Sequence, residues 1–158
     1  MKSIDKLKTN DKKILFRKIG EEFGIYGKYK NLDVSIEFEF TKRGIKESVN
    51  KQKNNYDIFV KMLSCFESVV NNAIGIEVHN RNSENYKTDI TLKNCYVLVS
   101  AFVDDVMIYP VKLEIKEFVD KPNKLYLAIT GDGIKKTRSL QKGLPIVMAL
   151  PNLLARLS

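Results

Sequence analysis

The sequence predicts an α+β fold, with N-terminal helices packed on one face of a mostly antiparallel sheet of about four to five strands. Three observations carry this expectation. Residues Val34-Ser35-Ile36-Glu37-Phe38-Glu39-Phe40 alternate strictly, which puts Val34, Ile36, Phe38 and Phe40 on one face of a strand and Glu37 and Glu39 on the other. Ile58, Phe59, Met62, Leu63, Phe66, Val69 and Val70 recur at helical spacing and form an apolar stripe wide enough to cover a sheet. Beyond them, short β segments are separated by the turn formers Asp104-Asp105 and Lys121-Pro122-Asn123, the pattern of antiparallel hairpins.

Taken in order, Ile4, Leu7, Ile14, Leu15, Ile19 and Phe23 have helical spacing, with Asn10-Asp11 as the expected cap and Gly20 or Gly24 as the stop. The stretch from Gly24 to Asn31 reads as a loop, and Val34 to Phe40 as the first strand. Thr41 caps a short basic helix beginning Lys42-Arg43-Gly44-Ile45, which Asn54-Asn55 breaks. One longer helix then carries the apolar stripe to Asn71-Asn72. Strands follow over 73–79, 95–103, 106–118 and 124–130, with a polar surface loop from Asn80 to Lys93. Gly131-Asp132-Gly133 is a turn and Lys135-Lys136-Thr137-Arg138 a basic patch. The segment from Ile146 to Leu157 has an apolar stripe interrupted by Pro151, read as a terminal helix capping the core or as a surface for a partner. This divides the chain into a helix and loop (1–31), an α+β core (32–133) and a basic turn with an apolar tail (134–158), all within one domain.

A chain of 158 residues can bury a sizeable core, and no repeat or low-complexity tract suggests otherwise. Twenty-seven basic against 19 acidic residues give a net charge of +8, which favours polyanions, although a composition rich in Lys, Asn and Ile also arises from AT-rich coding sequence. Cys65, in the helical stripe, and Cys95, at a strand start, are expected to be small buried hydrophobes in a reducing compartment. The start Met1-Lys2-Ser3-Ile4 has no apolar signal core, and the run from Leu144 to Leu150 is too short to span a bilayer. A cytoplasmic protein without a membrane span is expected, including one delivered into a target cell's cytoplasm as part of a larger protein.

Strand parity identifies which residues share a face. It turns Ile74, Ile76 and Val78 inward and Gly75, Glu77 and His79 outward. Likewise Val111, Leu113, Ile115, Leu125, Leu127 and Ile129 point in, while Lys112, Glu114, Lys116, Tyr126, Ala128 and Thr130 point out. The strand at Cys95 is apolar on both sides, and Tyr96 and Ser100 are assigned outward. The resulting open face contains the chain's one histidine, His79, with Lys112, Tyr96, Tyr126 and Thr130. Phosphodiester transfer needs a base titrating near neutrality, a cation for developing negative charge, and an acid for the leaving oxygen. His, Lys and Tyr can fill those roles, yet solvated sheet faces carry the same residue types without any reaction. One histidine and two distant cysteines make no zinc site, no metal or other cofactor is expected, and no phosphate-binding glycine loop or nucleophile elbow occurs.

The strings Phe38-Glu39-Phe40-Thr41-Lys42-Arg43-Gly44-Ile45-Lys46-Glu47-Ser48, Val69-Val70-Asn71-Asn72-Ala73-Ile74, Val111-Lys112-Leu113-Glu114-Ile115-Lys116-Glu117 and Lys124-Leu125-Tyr126 give a more specific lead. In this order they resemble a large polyvalent protein-associated domain of the barnase, EndoU, colicin and RelE-like nuclease superfamily, over residues 32–130. The resemblance implies a metal-independent endoribonuclease-like fold from a phage or mobile-element effector or toxin, with substrate on the concave face of the sheet. Where members of that family often carry a histidine after the Gly-Ile-Lys-Glu-Ser-like string, this chain has Asn50-Lys51. Catalysis would then fall to His79 and Lys51 as acid and base, with Lys112 contacting phosphate. Arg43, Lys46, Tyr96, Tyr126 and Thr130 would bind substrate. The implied partners are RNA, tRNA among them, and a cognate immunity or partner protein. The alternative is a catalytically inactive module on the same fold, binding nucleic acid through the stripe of Lys42, Arg43, Lys46, Lys51 and Lys53, or binding protein.

Overall fold

A computed structural model describes residues 4–80 and 91–135. Residues 81–90 of the loop predicted from Asn80 to Lys93, residues 136–138 of the basic patch and the apolar segment from Ile146 to Leu157 lie outside the described residues, while Asn80, Leu92 and Lys93 belong to strands.

A 3-10 turn, Ile4–Lys6, precedes α1 (Thr9–Phe23), β1 (Gly27–Asn31), β2 (Ile36–Phe40), α2 (Lys42–Lys51), α3 (Tyr56–Leu63) and α4 (Phe66–Asn71). The chain continues through β3 (Ile74–Asn80), β4 (Leu92–Asp104), β5 (Met107–Phe118), β6 (Lys124–Ile129) and the short β7 (Ile134–Lys135). The strands lie in the order β1-β2-β6-β5-β4-β3, with β7 added on β5. All pairs are antiparallel except β2 and β6, which are parallel and joined at the single pair Glu39–Lys124. The predicted α+β class holds, but among the described residues the sheet is mixed and seven-stranded, against the four to five strands expected.

The extra strands have local explanations. Residues 27–31 carry one apolar side chain, Tyr29, between lysines, so hydrophobic pattern hides β1; its antiparallel pairing with β2 supplies the missing order. β7 is two residues long and exists through Met107 and Ile108 of β5. Helix boundaries moved for similar reasons. Lys8, not Asn10 or Asp11, is the N-cap of α1, leaving Asp11 in the first turn, where it faces the positive end of the helix dipole. Gly24 ends α1 in the left-handed conformation at φ 64°. Thr41 caps α2 as expected, its Oγ1 accepting from the Gly44 N–H at 3.1 Å. The predicted long helix is two, α3 and α4, broken at Ser64-Cys65 where the Ser64 hydroxyl donates to the Lys61 carbonyl. The break leaves Cys65 exposed, contrary to expectation, while Cys95 is buried.

The helices bury one face of the sheet. Phe16, Phe40, Phe59, Phe66, Met62, Leu63, Leu98, Leu113 and Leu127 are fully enclosed, with Phe40 stacked on Phe66 at 4.6 Å between ring centroids. Parity holds on β5 and β6, where Leu113 pairs Leu127 and Ile115 pairs Leu125 on the helix side. It fails on β4: Ser100 is buried on the helix side and donates to the Val69 carbonyl at 2.6 Å, and Tyr96, opposite Ile115, packs against the same core. Because β4 is apolar on both sides, its sequence contains no parity signal, and the two polar residues face inward against α4 and Glu117. On β3 a register shift between Gly75 and Glu77 inserts Ile76, which is 41% exposed, and places Ile74 opposite Val99 on the far side, contrary to its expected inward parity; Val78 keeps that parity opposite Tyr96, but on this last strand of the order it is 61% exposed.

Side chains at the β1–β2 turn curl the sheet. Asn31, fully buried, donates to the carbonyls of Val70 and Ala73 and accepts from the Val34 N–H. Asp33 Oδ2 accepts from the Gly75 N–H at 2.8 Å. The turn joining the first two strands thus touches β3, at the opposite end of the strand order.

The outer edge of β6 meets β2 at one pair and is otherwise covered by α2. Gly44, Ser48 and Gln52, four residues apart, lie along the side of the helix that meets it. The Leu127 N–H donates to Ser48 Oγ at 3.0 Å and the Ile129 N–H to Gln52 Oε1 at 2.8 Å. Gly44 permits the approach, since a Cβ there would stand 3.0 Å from the Leu125 carbonyl oxygen. The helix therefore does for this edge what a neighbouring strand would do. Ser48→Ala, which orphans a buried N–H, is expected to cost about 1–3 kcal/mol, read as a lower urea midpoint at unchanged m-value.

Candidate nucleic-acid interface

Docking α2 sideways on β6 carries Arg43, Glu47 and Lys51, again four residues apart, round to the far face of the sheet. There they meet residues of outward parity on β5 and β6. Arg43, Glu47 and Lys51 line a cavity of about 310 Å³ with Lys116, Phe118, Lys121, Lys124 and Tyr126. Five of these side chains are cationic and one is a carboxylate. A second cavity of about 360 Å³ continues from it, sharing Lys51 and Tyr126 and adding Lys53, Lys112, Glu114, Ala128 and Thr130.

Aromatic rings and one carboxylate hold the lysines in place. Lys51 and Lys116 lie 5.6 and 5.2 Å from the centre of the Tyr126 ring, and Lys121 lies 4.2 Å from that of Phe118. Tyr126 is largely buried, and that burial, reinforced by the Glu47 charge, raises its hydroxyl above the ordinary tyrosine value. At neutral pH it is an uncharged donor. Lys51 Nζ sits 3.0 Å from Glu114 Oε2, and Lys112 Nζ 3.8 Å from Glu114 Oε1. These pairs position the cations; their contribution to stability is small, as for most partly exposed ion pairs.

Of the residues singled out from the sequence, Lys51, Lys112, Tyr126 and Thr130 come together on the second cavity, and Arg43 joins Lys51 and Tyr126 on the first. Lys46 lines neither. His79 lies on the same face in one continuous cross-strand row, Lys28-Glu39-Lys124-Lys116-Cys95-His79. Two strand spacings, roughly 10 Å, separate its backbone from that of Lys116. Its Nε2 is 2.8 Å from Glu77 Oε2, and it lines neither cavity. Tyr96 belongs to the opposite, helix-covered side, its hydroxyl 3.4 Å from Glu117 Oε1, so it does not share the face with His79 and Lys112 as expected.

Lys116, Lys121, Lys124 and Glu47 escaped the sequence-based choice of site residues. Parity already turned Lys116 outward, and the spacing of Arg43, Glu47 and Lys51 was available on α2. No signal linked them until α2 was placed against the β6 edge. Among the described residues, no three His, Cys, Asp or Glu side chains gather as a metal site, and no helix is long and apolar enough to cross a membrane.

Fold and site together define an α+β protein with helices on one sheet face and a cation-lined groove on the other. No family model, no curated protein and no solved structure matches the chain.

Proposed function

We propose that this chain is an RNA-binding domain of ribonuclease-like type whose groove takes the phosphodiester backbone, and that it serves as an effector module of the phage or mobile-element kind its motifs resemble. The observation that carries the reading is the convergence of Arg43, Lys51, Lys116, Lys121 and Lys124 on one cavity, an excess of positive charge that a phosphate-rich strand offsets. The Tyr126 ring holds the Lys51 and Lys116 ammonium groups at the cavity, Lys51 being also paired with Glu114. Binding to a fluorescent single-stranded RNA should weaken linearly in log salt, by about 0.7 per phosphate neutralised. Undetectable or salt-insensitive binding removes the proposal.

Cleavage is the second reading, favoured by the placement of His79 on the same face and row as Lys116 and Lys124. In it His79 and Lys51 exchange protons and Lys112 contacts phosphate. Its separation from the cavities makes binding without cleavage the first choice. Total RNA and tRNA incubated in EDTA with wild type and His79→Ala decide between them: degradation by wild type alone supports catalysis, and intact RNA with both across a broad pH range leaves a binding domain.

A further inference from the structure

We infer that β3 is a docking edge for a second copy of this chain, the two β3 strands pairing antiparallel about a two-fold axis at Val78. This goes beyond the RNA-binding reading and does not depend on it.

Among the described residues, β3 is the last strand of the sheet. Ile76, Glu77, Val78 and Asn80 are exposed along it, so another chain can reach the edge. Beyond the bulge at Ile76, residues 77–80 contain neither the proline nor the lysine that guards many sheet edges. At the start of the strand the Gly75 N–H donates to Asp33 Oδ2 instead of to β4. That bond also fixes which groups the rest of the edge offers. Gly75 and Leu98 form a non-hydrogen-bonded pair; on β4, which is regular here, Val97 is then hydrogen-bonded toward β3 and Tyr96 is not. Val78, opposite Tyr96, therefore turns its N–H and C=O outward.

The edge is complementary to itself. Two outward-facing Val78 residues can exchange both backbone hydrogen bonds across a two-fold axis, the isologous arrangement of the commonest dimers. In that register Glu77 of each protomer stands opposite His79 of its partner, in non-hydrogen-bonded pairs with Cα atoms about 4.5 Å apart. Within each protomer His79 Nε2 already lies 2.8 Å from Glu77 Oε2, so carboxylates and imidazoles alternate round the axis and no like groups are opposed. The neighbouring register, Val78 against Asn80, sets His79 against His79 and loses this match. The exposed Val78 side chains meet beside the axis and cover each other. Because the axis runs normal to the sheet, the helices of both protomers lie on one side and their cation-lined grooves on the other.

Sedimentation equilibrium of the full chain should show a monomer–dimer equilibrium. Val78→Pro removes an outward N–H that β4 does not use, and should abolish the dimer while leaving a folded monomer by circular dichroism. Glu77→Lys and His79→Glu each oppose like charges across the axis, and each should weaken self-association by about tenfold or more. Mixed in equal amounts, these two variants should associate with each other, because each presents the other with opposite charges; damage confined to either fold would not be rescued in this way. Val78→Cys in a Cys65→Ser background should form a disulfide-linked dimer under mild oxidation, whereas Glu77→Cys, about 8 Å from its copy in this register, should not. A chain that stays monomeric at every concentration, or a dimer that Val78→Pro and both charge changes leave intact, overturns the inference.

Discussion

Phe40→Ala is expected to lower stability by about 3–5 kcal/mol, the range for removing a fully buried aromatic ring whose surroundings cannot close around the void. Phe40 is fully enclosed, stacks on Phe66 at 4.6 Å and lies 6.1 Å from the Tyr26 ring. It also borders Gly44, where a Cβ would meet its ring at 3.3 Å. Its loss therefore empties the joint at which the α1–β1 turn, β2, α2 and α4 meet. Against a total stability of about 5–15 kcal/mol, such a change leaves a marginal fold. Urea unfolding followed by far-UV circular dichroism measures it; a change below about 1 kcal/mol would mean that the joint repacks freely.

The second large effect falls on binding. Arg43→Ala/Lys116→Ala/Lys124→Ala removes three cations from the first cavity while leaving the Lys51–Glu114–Lys112 arrangement intact. RNA affinity at low salt should fall by on the order of a hundredfold or more, since contacts to charged groups are each worth more than ordinary hydrogen bonds. The slope of log affinity against log salt should become shallower by about two, three phosphates at roughly 0.7 each. Thermal midpoints should change little, because none of the three side chains is buried. An unchanged salt slope would show that RNA, if bound, lies elsewhere.

Legibility of the fold followed burial on one side. Strands with one wet face, β2 and β5, are readable from alternation, β6 from the spacing of Leu125, Leu127 and Ile129 although Tyr126 and Ala128 opposite them are also buried, and the Asp104-Asp105 hairpin from its turn residues. The strands that misled are those where two faces, or neither, are apolar. β4 offers Val97 and Val99 on one side and Leu98 and Phe102 on the other, all buried, so Tyr96 and Ser100 had no register to follow. β1 has one apolar side chain, so its sequence reads as a loop. On β3 the inserted Ile76 changes which residues the apolar spacing places inside.

For the site, side-chain chemistry and strand parity were sufficient to turn Lys112, Lys116, Glu114, Tyr126 and His79 toward one side of the sheet, because alternation is a property of the strand itself. Which of these residues meet is a different matter. Strand order places His79 at the β3 end of the row and Lys124 toward the other, and only pairing between distant segments specifies that order. The docking of α2 against β6 is likewise nonlocal: Ser48 and Gln52 recognise backbone N–H groups 79 and 77 residues away in sequence. Sequence alone thus determined the α+β class, the cap at Thr41, and which residues of β5 and β6 turn toward the helices, all governed by neighbours within a few residues. Tertiary structure alone decided that Arg43 and Lys51 stand over Lys116, Lys124 and Tyr126, because an unpaired sheet edge had to find its hydrogen-bond partners on a helix.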